Sequence, residues 1–328
     1  MKKILTNLFE YKSLTRQQAR EVLVNIASEQ YNPSQVAAFM SVYLMRAITV
    51  EELSGFRDAM LEMCRRIDFT DRETIDIVGT GGDGKDTFNI STLACFVVAG
   101  AGIKVTKHGN YGVSSVSGSS NVLEALGYTF SSDQGTLQRQ LDMAGICFMH
   151  APLFHPAMKS VAPIRKELGV RTFFNMLGPI VNPCFPKYQL LGVYNPEMAR
   201  LYNYLLQDTD AEYTIVHSFG GYDEISLTSD FKLLSKNREQ LLQPADLNFQ
   251  LLKESDLYGG ASIKEAATCF TEILSGNGTA AQNAVVTANA AIAIRTVYPA
   301  MPMEECLQRA KESLENKSAL AVFNKLIH

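Results

Sequence analysis

The chain has 328 residues, of which 46% are hydrophobic and 20% charged, with a net charge of −4. That length admits two domains or one large α/β domain, and the balance of residues excludes a disordered, collagenous or membrane-spanning chain. The mild negative charge gives no global reason to bind nucleic acid or an anionic membrane.

In chain order, the first seventy residues read as helices. Thr15 and Gln18 fit a capping box, and Ala19, Val22, Leu23, Ile26 and Ala27 follow at helical spacing. "NPSQVAAFMSVYLMRA" is apolar nearly all round, which predicts a buried helix. Thr49 and Glu52 form a second capping box ahead of Leu53, Phe56, Met60 and Met63. From Ile75 the texture changes. The β-rich runs "IDIVG", "GIKVTKHG", "YQLLGVY" and "YTIVHS" alternate with the helical stretches "STLACFVVAGA", "SNVLEAL", "TLQRQLDMA" and "PEMARLYNYLL". That alternation predicts an α/β fold with a mainly parallel central sheet covered by helices. The Ala-rich helix "TAAQNAVVTANAAIAIRTV" and two further helical segments complete the chain. The expected division is a small all-helical N-terminal domain over residues 1–70, completed by a helical segment near 165–182, and an α/β domain over 73–328.

Six cysteines (Cys64, Cys95, Cys147, Cys184, Cys269, Cys306) stand singly, without C-x-x-C or a histidine at zinc spacing, which predicts a reduced, cytoplasmic protein. "MKKIL" is followed by "TNLFEYK", so no apolar signal core develops. "LACFVVAGAG", the longest apolar run, is too short to cross a bilayer.

"DIVGTGGDGKDTFNIST", residues 76–92, satisfies two glycine templates and completes neither. It lies between a predicted strand and a predicted helix, where glycine-exposed amides make an anion nest. A dinucleotide fold wants an acid about twenty residues on. From Thr87 to Val122 there is none, and Lys104, Lys107 and His108 arrive instead. A P-loop needs a hydroxyl after its lysine, and Asp86 stands there. Asp83 and Asp86 flank the nest, and a carboxylate about 4 Å from a phosphate costs on the order of 4 kcal/mol at an effective dielectric near 20. Acids so placed imply a cation or another part of the ligand. Downstream, "KHGNYGVSSVSGSSNVLEALG" packs Lys107, His108, Asn110 and a run of serines around glycines, suited to a loop that closes over phosphate groups. A solvated Ser/Gly linker is the plain alternative, but such linkers lack a clustered Lys-His-Gly-Asn beside a strand.

Four ordered motifs, "GTGGDGKDTFNIST", "KHGN-GVSSVSGSSNVLEALG", "HPAMKSVAPIRKELGVRTFFNMLGPIVNP" and "DEIS", resemble those of the anthranilate phosphoribosyltransferases, of the nucleoside phosphorylase-like class. The resemblance runs from the N-terminus to about Tyr298. It implies a pentosyltransferase that moves phosphoribosyl from phosphoribosyl pyrophosphate (PRPP) to the amine of anthranilate in tryptophan biosynthesis. It also implies magnesium, two ions per site, and a homodimer built through the helical domain.

Carried over residue by residue, Gly79, Gly82, Asp83 and Thr87 resemble the PRPP-binding turn, and Asn89, Ile90, Ser91 and Thr92 the phosphate-binding helix start. Lys107, His108, Gly109, Asn110, Ser114, Ser115 and Ser119 resemble the loop covering pyrophosphate. Ser91, Asp223 and Glu224 match the magnesium ligands. Gly79, Asn110, Arg165, His155 and Pro156 fall to anthranilate. Transition-state stabilisation is expected from Lys107 and magnesium, with no essential acid or base, because the aromatic amine is nucleophilic as the free base. For Arg165 a surface ion pair with Glu167 is the plain alternative. Phe173, Phe174 and Met176 read as core.

Tyr111 departs from the pattern, which usually has arginine there, and Ser218 and Tyr222 replace a glycine and a leucine. Two other functions would use some of the same residues. A pyrimidine nucleoside phosphorylase needs no paired acids for magnesium, and a nucleic-acid-binding relative needs a basic face. Asp223-Glu224 and the net charge of −4 speak against them.

Overall fold

The computed structural model describes residues 1–69, 73–112 and 116–327. The chain divides into two compact units, Met1–Ile67 with Ala151–Phe185, and Asp68–His150 with Pro186–His328. Among the described residues no helix is long and apolar enough to cross a membrane.

The first unit is helical: α1 (Lys2–Phe9), α2 (Arg16–Ala27), α3 (Pro33–Met45) and α4 (Val50–Glu62), joined by the short helices of residues 151–185. Both capping boxes form as the spacing requires, Thr15 with Gln18 and Thr49 with Glu52. A cap of this kind is worth about 1 kcal/mol. The helices α2 and α4 lie so close that a Cβ on Gly55 would stand 2.2 Å from the Arg16 carbonyl oxygen. The core is aromatic: Phe56 stacks on Phe173 at 4.5 Å, and Phe39 meets both rings edge-on at 6.0 Å.

One expectation fails here. Only part of α3 is buried, through Val36, Phe39, Met40 and Val42, while Leu44 and Met45 at its end stand 48% and 86% exposed. The unit is one helical layer around its aromatic core, and that layer covers only part of an all-apolar helix.

The second unit runs β1 (Ile75–Gly79), α5 (Ile90–Gly100), β2 (Val105–Gly109), α6 (Ser119–Ala125), α7 (Gln134–Met143), β3 (Ile146–His150) and then, from residue 186, β4 (Tyr188–Gly192), β5 (Glu212–Ser218), β6 (Phe231–Ser235) and β7 (Arg238–Leu242). The sheet order is β3-β2-β1-β4-β5-β6-β7. The five strands from β3 to β5 are parallel, and β6 and β7 add antiparallel. Buried parallel strands read as continuous apolar runs. On one side α5 is apolar along most of its length, and the helix Ala280–Val297 begins on a Thr279–Gln282 capping box. Ser313 Oγ donates to the Val97 carbonyl (2.8 Å), and Gly100 permits that approach.

Three strands and one helix were not foreseen. β3, "ICFMH", is a five-residue apolar run without alternation, indistinguishable by period from a buried helical turn. β6 and β7 form a hairpin whose sequence alternates poorly, and the helix Ile263–Leu274 lies in a stretch left unread.

Candidate active site

The strand order reverses between β1 and β4, and in open parallel sheets the crevice beyond the strand ends at such a point is where ligands bind. Glycines end both strands, Gly79 paired with Gly192. A Cβ on Gly79 would stand 2.2 Å from Asp223 Oδ2, and one on Gly192 1.6 Å from the Asp223 carbonyl oxygen. Both glycines therefore clear the path by which the acidic turn after β5 crosses the two strand ends. Three further contacts fix that turn. The Gly81 N–H donates to Asp223 Oδ2 (2.6 Å), and Ser218 Oγ donates to the Glu224 carbonyl (2.6 Å). The buried amide of Asn289 accepts from the Ile225 N–H (3.0 Å) and donates to the Ile225 carbonyl (2.9 Å).

The result is a cluster of carboxylates. Oxygens of Asp83, Asp223 and Glu224 all lie within 4.8 Å of one another. Burial, then the neighbouring Asp223 carboxylate, pushes Asp83 up to about 6. Burial, then Asp223 and Asp83, pushes Glu224 well above the usual carboxylate range. Beneath them Lys107 is buried, its Nζ donating to the Ile77 carbonyl (2.6 Å), and its charge opposes the rise at Glu224. Oxygen donors crowded and under-neutralised in this way suit a hard divalent cation that keeps some of its waters.

The glycine turn places Gly81, Gly82 and Gly84 at φ of 60°, 75° and 75°, a region that side-chain-bearing residues avoid. It leads to the first turn of α5, where Asn89 makes no side-chain cap and instead donates from Nδ2 to the Ser117 carbonyl (3.0 Å). Ile90, Ser91 and Thr92 form that first turn, the positive end of an apolar helix. Thr87 is held by a bridge to Tyr258.

After β2, Ser119 Oγ donates to the Asn110 carbonyl (3.3 Å), and Gly109 leaves room for that hydroxyl. The Gly112 and Gly118 N–H groups both donate to Asn121 Oδ1 (2.8 and 3.0 Å). Asn110 is exposed, whereas the His108 side chain is buried and the His108 backbone N–H donates to Asp76 Oδ1 (3.2 Å). Tyr111 turns to α6, donating from its hydroxyl to Glu124 (2.9 Å) with its ring edge-on to His150 at 4.7 Å. Ser114 and Ser115 lie outside the described residues.

The remaining candidates belong to the helical unit. Arg165 is half-buried, lies 5.5 Å from the Phe174 ring and donates to Asn175 Oδ1 at 3.3 Å. It has no carboxylate partner among the described residues, so the surface pair with Glu167 does not form, and burial lowers its pKa. His155 is buried and pushed down to about 4, so its ring is neutral at pH 7, while Pro156 is exposed. Phe173 and Phe174 are core.

Sequence reasoning missed Gly192, Asn289 and the membership of Asp83 in the carboxylate cluster. A signal existed for two of them. "LLGVY" ends a strand on glycine as "IDIVG" does, and an asparagine inside an Ala-rich helix marks a buried polar contact.

Two family models cover nearly the whole chain: glycosyl transferase family, helical bundle domain, over residues 2–64, and glycosyl transferase family, a/b domain, over residues 71–320. An anthranilate phosphoribosyltransferase of Flavobacterium johnsoniae is 58% identical over 326 residues, spanning 99% of this chain and 98% of its own. The crystal structure of anthranilate phosphoribosyltransferase from Thermus thermophilus superposes with a TM-score of 0.91 at 30% identity, covering 98% of each chain. The Saccharomyces cerevisiae enzyme in complex with PRPP and Mg gives a TM-score of 0.91 at 27% identity, over 98% of this chain and 95% of that one. The chain belongs to the anthranilate phosphoribosyltransferases, glycosyl transferases that couple a helical bundle to an α/β domain.

Proposed function

We infer that this chain transfers the 5-phosphoribosyl group of PRPP to the amine of anthranilate, releasing pyrophosphate, in tryptophan biosynthesis. The carboxylate cluster at the switch point supports this reading most. Acids beside a phosphate-binding turn repel a polyphosphate substrate unless a cation stands between them, and a yeast relative is seen with both PRPP and Mg. Asp223, Glu224 and Ser91 are the residues to hold magnesium, two ions per site, and the cluster brings in Asp83 as a fourth donor. Magnesium bound there supplies neutralisation of charge on the departing diphosphate.

The chain's own groups do the rest. Gly79, Gly82, Thr87 and the first turn of α5 through Asn89, Ile90, Ser91 and Thr92 present amides and hydroxyls to the phosphates. Gly109, Asn110 and Ser119 border the same substrate. The buried Lys107 acts from beneath, balancing the acids through Glu224. His108 is buried and steadies the strand end. The bond between the ribose carbon and the diphosphate oxygen breaks, the aromatic nitrogen bonds that carbon, and the surplus proton leaves to solvent. No residue need act as base, and His155, held at about 4 by burial, is a weak one. On the resemblance, Asn110 in the α/β unit is assigned to anthranilate, as are His155, Pro156 and Arg165 in the helical unit, where Arg165 has no carboxylate partner among the described residues. Phe9, Tyr11, Leu44 and Met45, all exposed on the helical unit, suit a homodimer formed through it. We place the enzyme in the cytoplasm.

The test is the loss of anthranilate fluorescence on adding PRPP, with and without magnesium. Turnover that needs both supports the reading. Phosphorolysis of thymidine or uridine without anthranilate turnover sinks it.

A further inference from the structure

The glycine turn and the acidic turn come from opposite sides of the switch point, and each carries part of the carboxylate cluster. Asp83 sits on the first, Asp223 and Glu224 on the second. Like charges that close drive the turns apart, so contacts beyond the Gly81–Asp223 hydrogen bond must help hold them together before a cation arrives.

Lys85 and Tyr222 are placed to do so. Tyr222, next to Asp223, is buried, and the Lys85 ammonium lies 4.6 Å from the centroid of its ring. The same ammonium meets Glu254 Oε1 at 3.0 Å, in the one-turn helix Glu254–Leu257. At the other end of the residue, the Lys85 N–H donates to Asp83 Oδ1 (3.0 Å). One lysine thus orients the Asp83 carboxylate with its backbone and grips the neighbouring turn with its side chain. Two more contacts tie the glycine turn to the segment carrying Glu254: the Gly259 N–H donates to the Asp86 carbonyl (2.9 Å), and the Phe88 N–H to the Leu257 carbonyl (2.9 Å).

We propose that Lys85 and Tyr222 form a clasp that preorganises the divalent-cation site, making both positioning residues for metal-dependent PRPP binding. The proposal rests on the reading that the carboxylate cluster binds the cation. It also fixes the sign of a measurable effect. A bare lysine charge near a cation site weakens metal binding by repulsion, so its removal should tighten binding. A lysine that holds the donors in register does the opposite, and its removal should weaken binding.

The experiment measures Mn2+ binding by electron paramagnetic resonance on the full-length protein, with and without PRPP, after recording each variant's thermal transition. Lys85→Met and Tyr222→Leu should each weaken binding by about fivefold, the scale of a partly desolvated cation–π contact. Tyr222→Phe keeps the ring but loses the hydroxyl's interactions with Lys85 and Thr228, and should weaken binding clearly less than Tyr222→Leu. In turnover assays the two weakened variants should need more magnesium yet recover most of kcat at saturation. Because Tyr222 is buried, Lys85→Met, at a partly exposed position, carries the test alone if Tyr222→Leu is unstable. Tighter Mn2+ binding by Lys85→Met overturns the clasp, as does equal weakening by Tyr222→Phe and Tyr222→Leu. A wild-type protein that binds no Mn2+ even with PRPP removes the metal reading and the clasp together.

Discussion

Each unit buries acidic side chains, and the two treat them in opposite ways. In the helical unit Glu52 is fully buried and fully answered. Arg46 meets both its oxygens, the Leu14 and Thr49 N–H groups donate at 2.9 and 3.0 Å, and the Tyr43 hydroxyl donates at 3.3 Å. Burial alone would raise its pKa; the Arg46 hydrogen bonds and the two backbone donors outweigh that and hold it below the usual range. In the α/β unit, Asp83 and Glu224 face another carboxylate, and both are raised. A protein that completes Glu52 and leaves Asp83, Asp223 and Glu224 crowded together is using the first for stability and the others for a ligand.

The largest effect should come from removing the under-neutralised acids. Asp223→Ala with Glu224→Ala should cut turnover about a thousandfold, the scale of losing preorganised charge stabilisation in an active site, while the metal-free protein loses far less stability than Glu52→Ala does. Near-normal activity rejects their role, and a large loss of stability erases the contrast with Glu52. The converse substitution, Glu52→Ala, strands the Arg46 guanidinium and should cost about 3–5 kcal/mol in denaturant unfolding. Its effect on kcat in the protein that remains folded should be small.

The contrast was half legible. The capping box that places Glu52 beside Thr49 is a three-residue spacing, and local spacing survives in any context. Its ion pair with Arg46, six positions earlier, has no periodic signature. In the other unit the glycine turn and the acid pair were readable as chemistry, and the unfavourable energy of Asp83 beside a phosphate already called for a cation or another part of the ligand. Their meeting was not readable from spacing, because Gly81 and Asp223 are joined by a hydrogen bond across 142 positions and sheet order alone brings them together. Parallel strands were found where β-branched runs met helical stretches. β3 and the β6–β7 hairpin escaped because five apolar residues, or a poorly alternating pair, carry no period to count.

Arg165 sharpens the comparison from the side of positive charge, since it is a half-buried cation without a carboxylate where Arg46 has one. Arg165→Ala should raise the KM for anthranilate by roughly 10-fold to 100-fold, the value of a charged hydrogen bond, and the KM for PRPP far less. An equal rise in both would mean the residue supports the cleft as a whole.

The smallest effect, and the one that separates the two kinds of acid most cleanly, is the pH dependence of the metal-free protein. Asp83 has its folded pKa raised from 3.8 to about 6, so between those values the folded state holds more protons than the unfolded one. Stability from this group therefore falls as pH rises through that window, and Glu224, also raised, acts in the same direction. Glu52, lowered in the fold, contributes stability present above its unfolded pKa and lost as pH falls through its folded value, at the acid end only. His150 and His217, both lowered by burial, act in the opposite direction, so the effect of Asp83 is read by difference. Calorimetry without divalent ions should find the stability of wild type relative to Asp83→Asn higher at pH 5 than at pH 8. Added magnesium should raise the melting temperature more at pH 8, where protons no longer compete for the carboxylates. Asp83→Asn should shift the pH 5 to 8 slope toward greater stability at high pH and leave the Glu52 contribution at the acid end in place. If magnesium stabilised the protein equally at both pH values, the three carboxylates would not be its binding site.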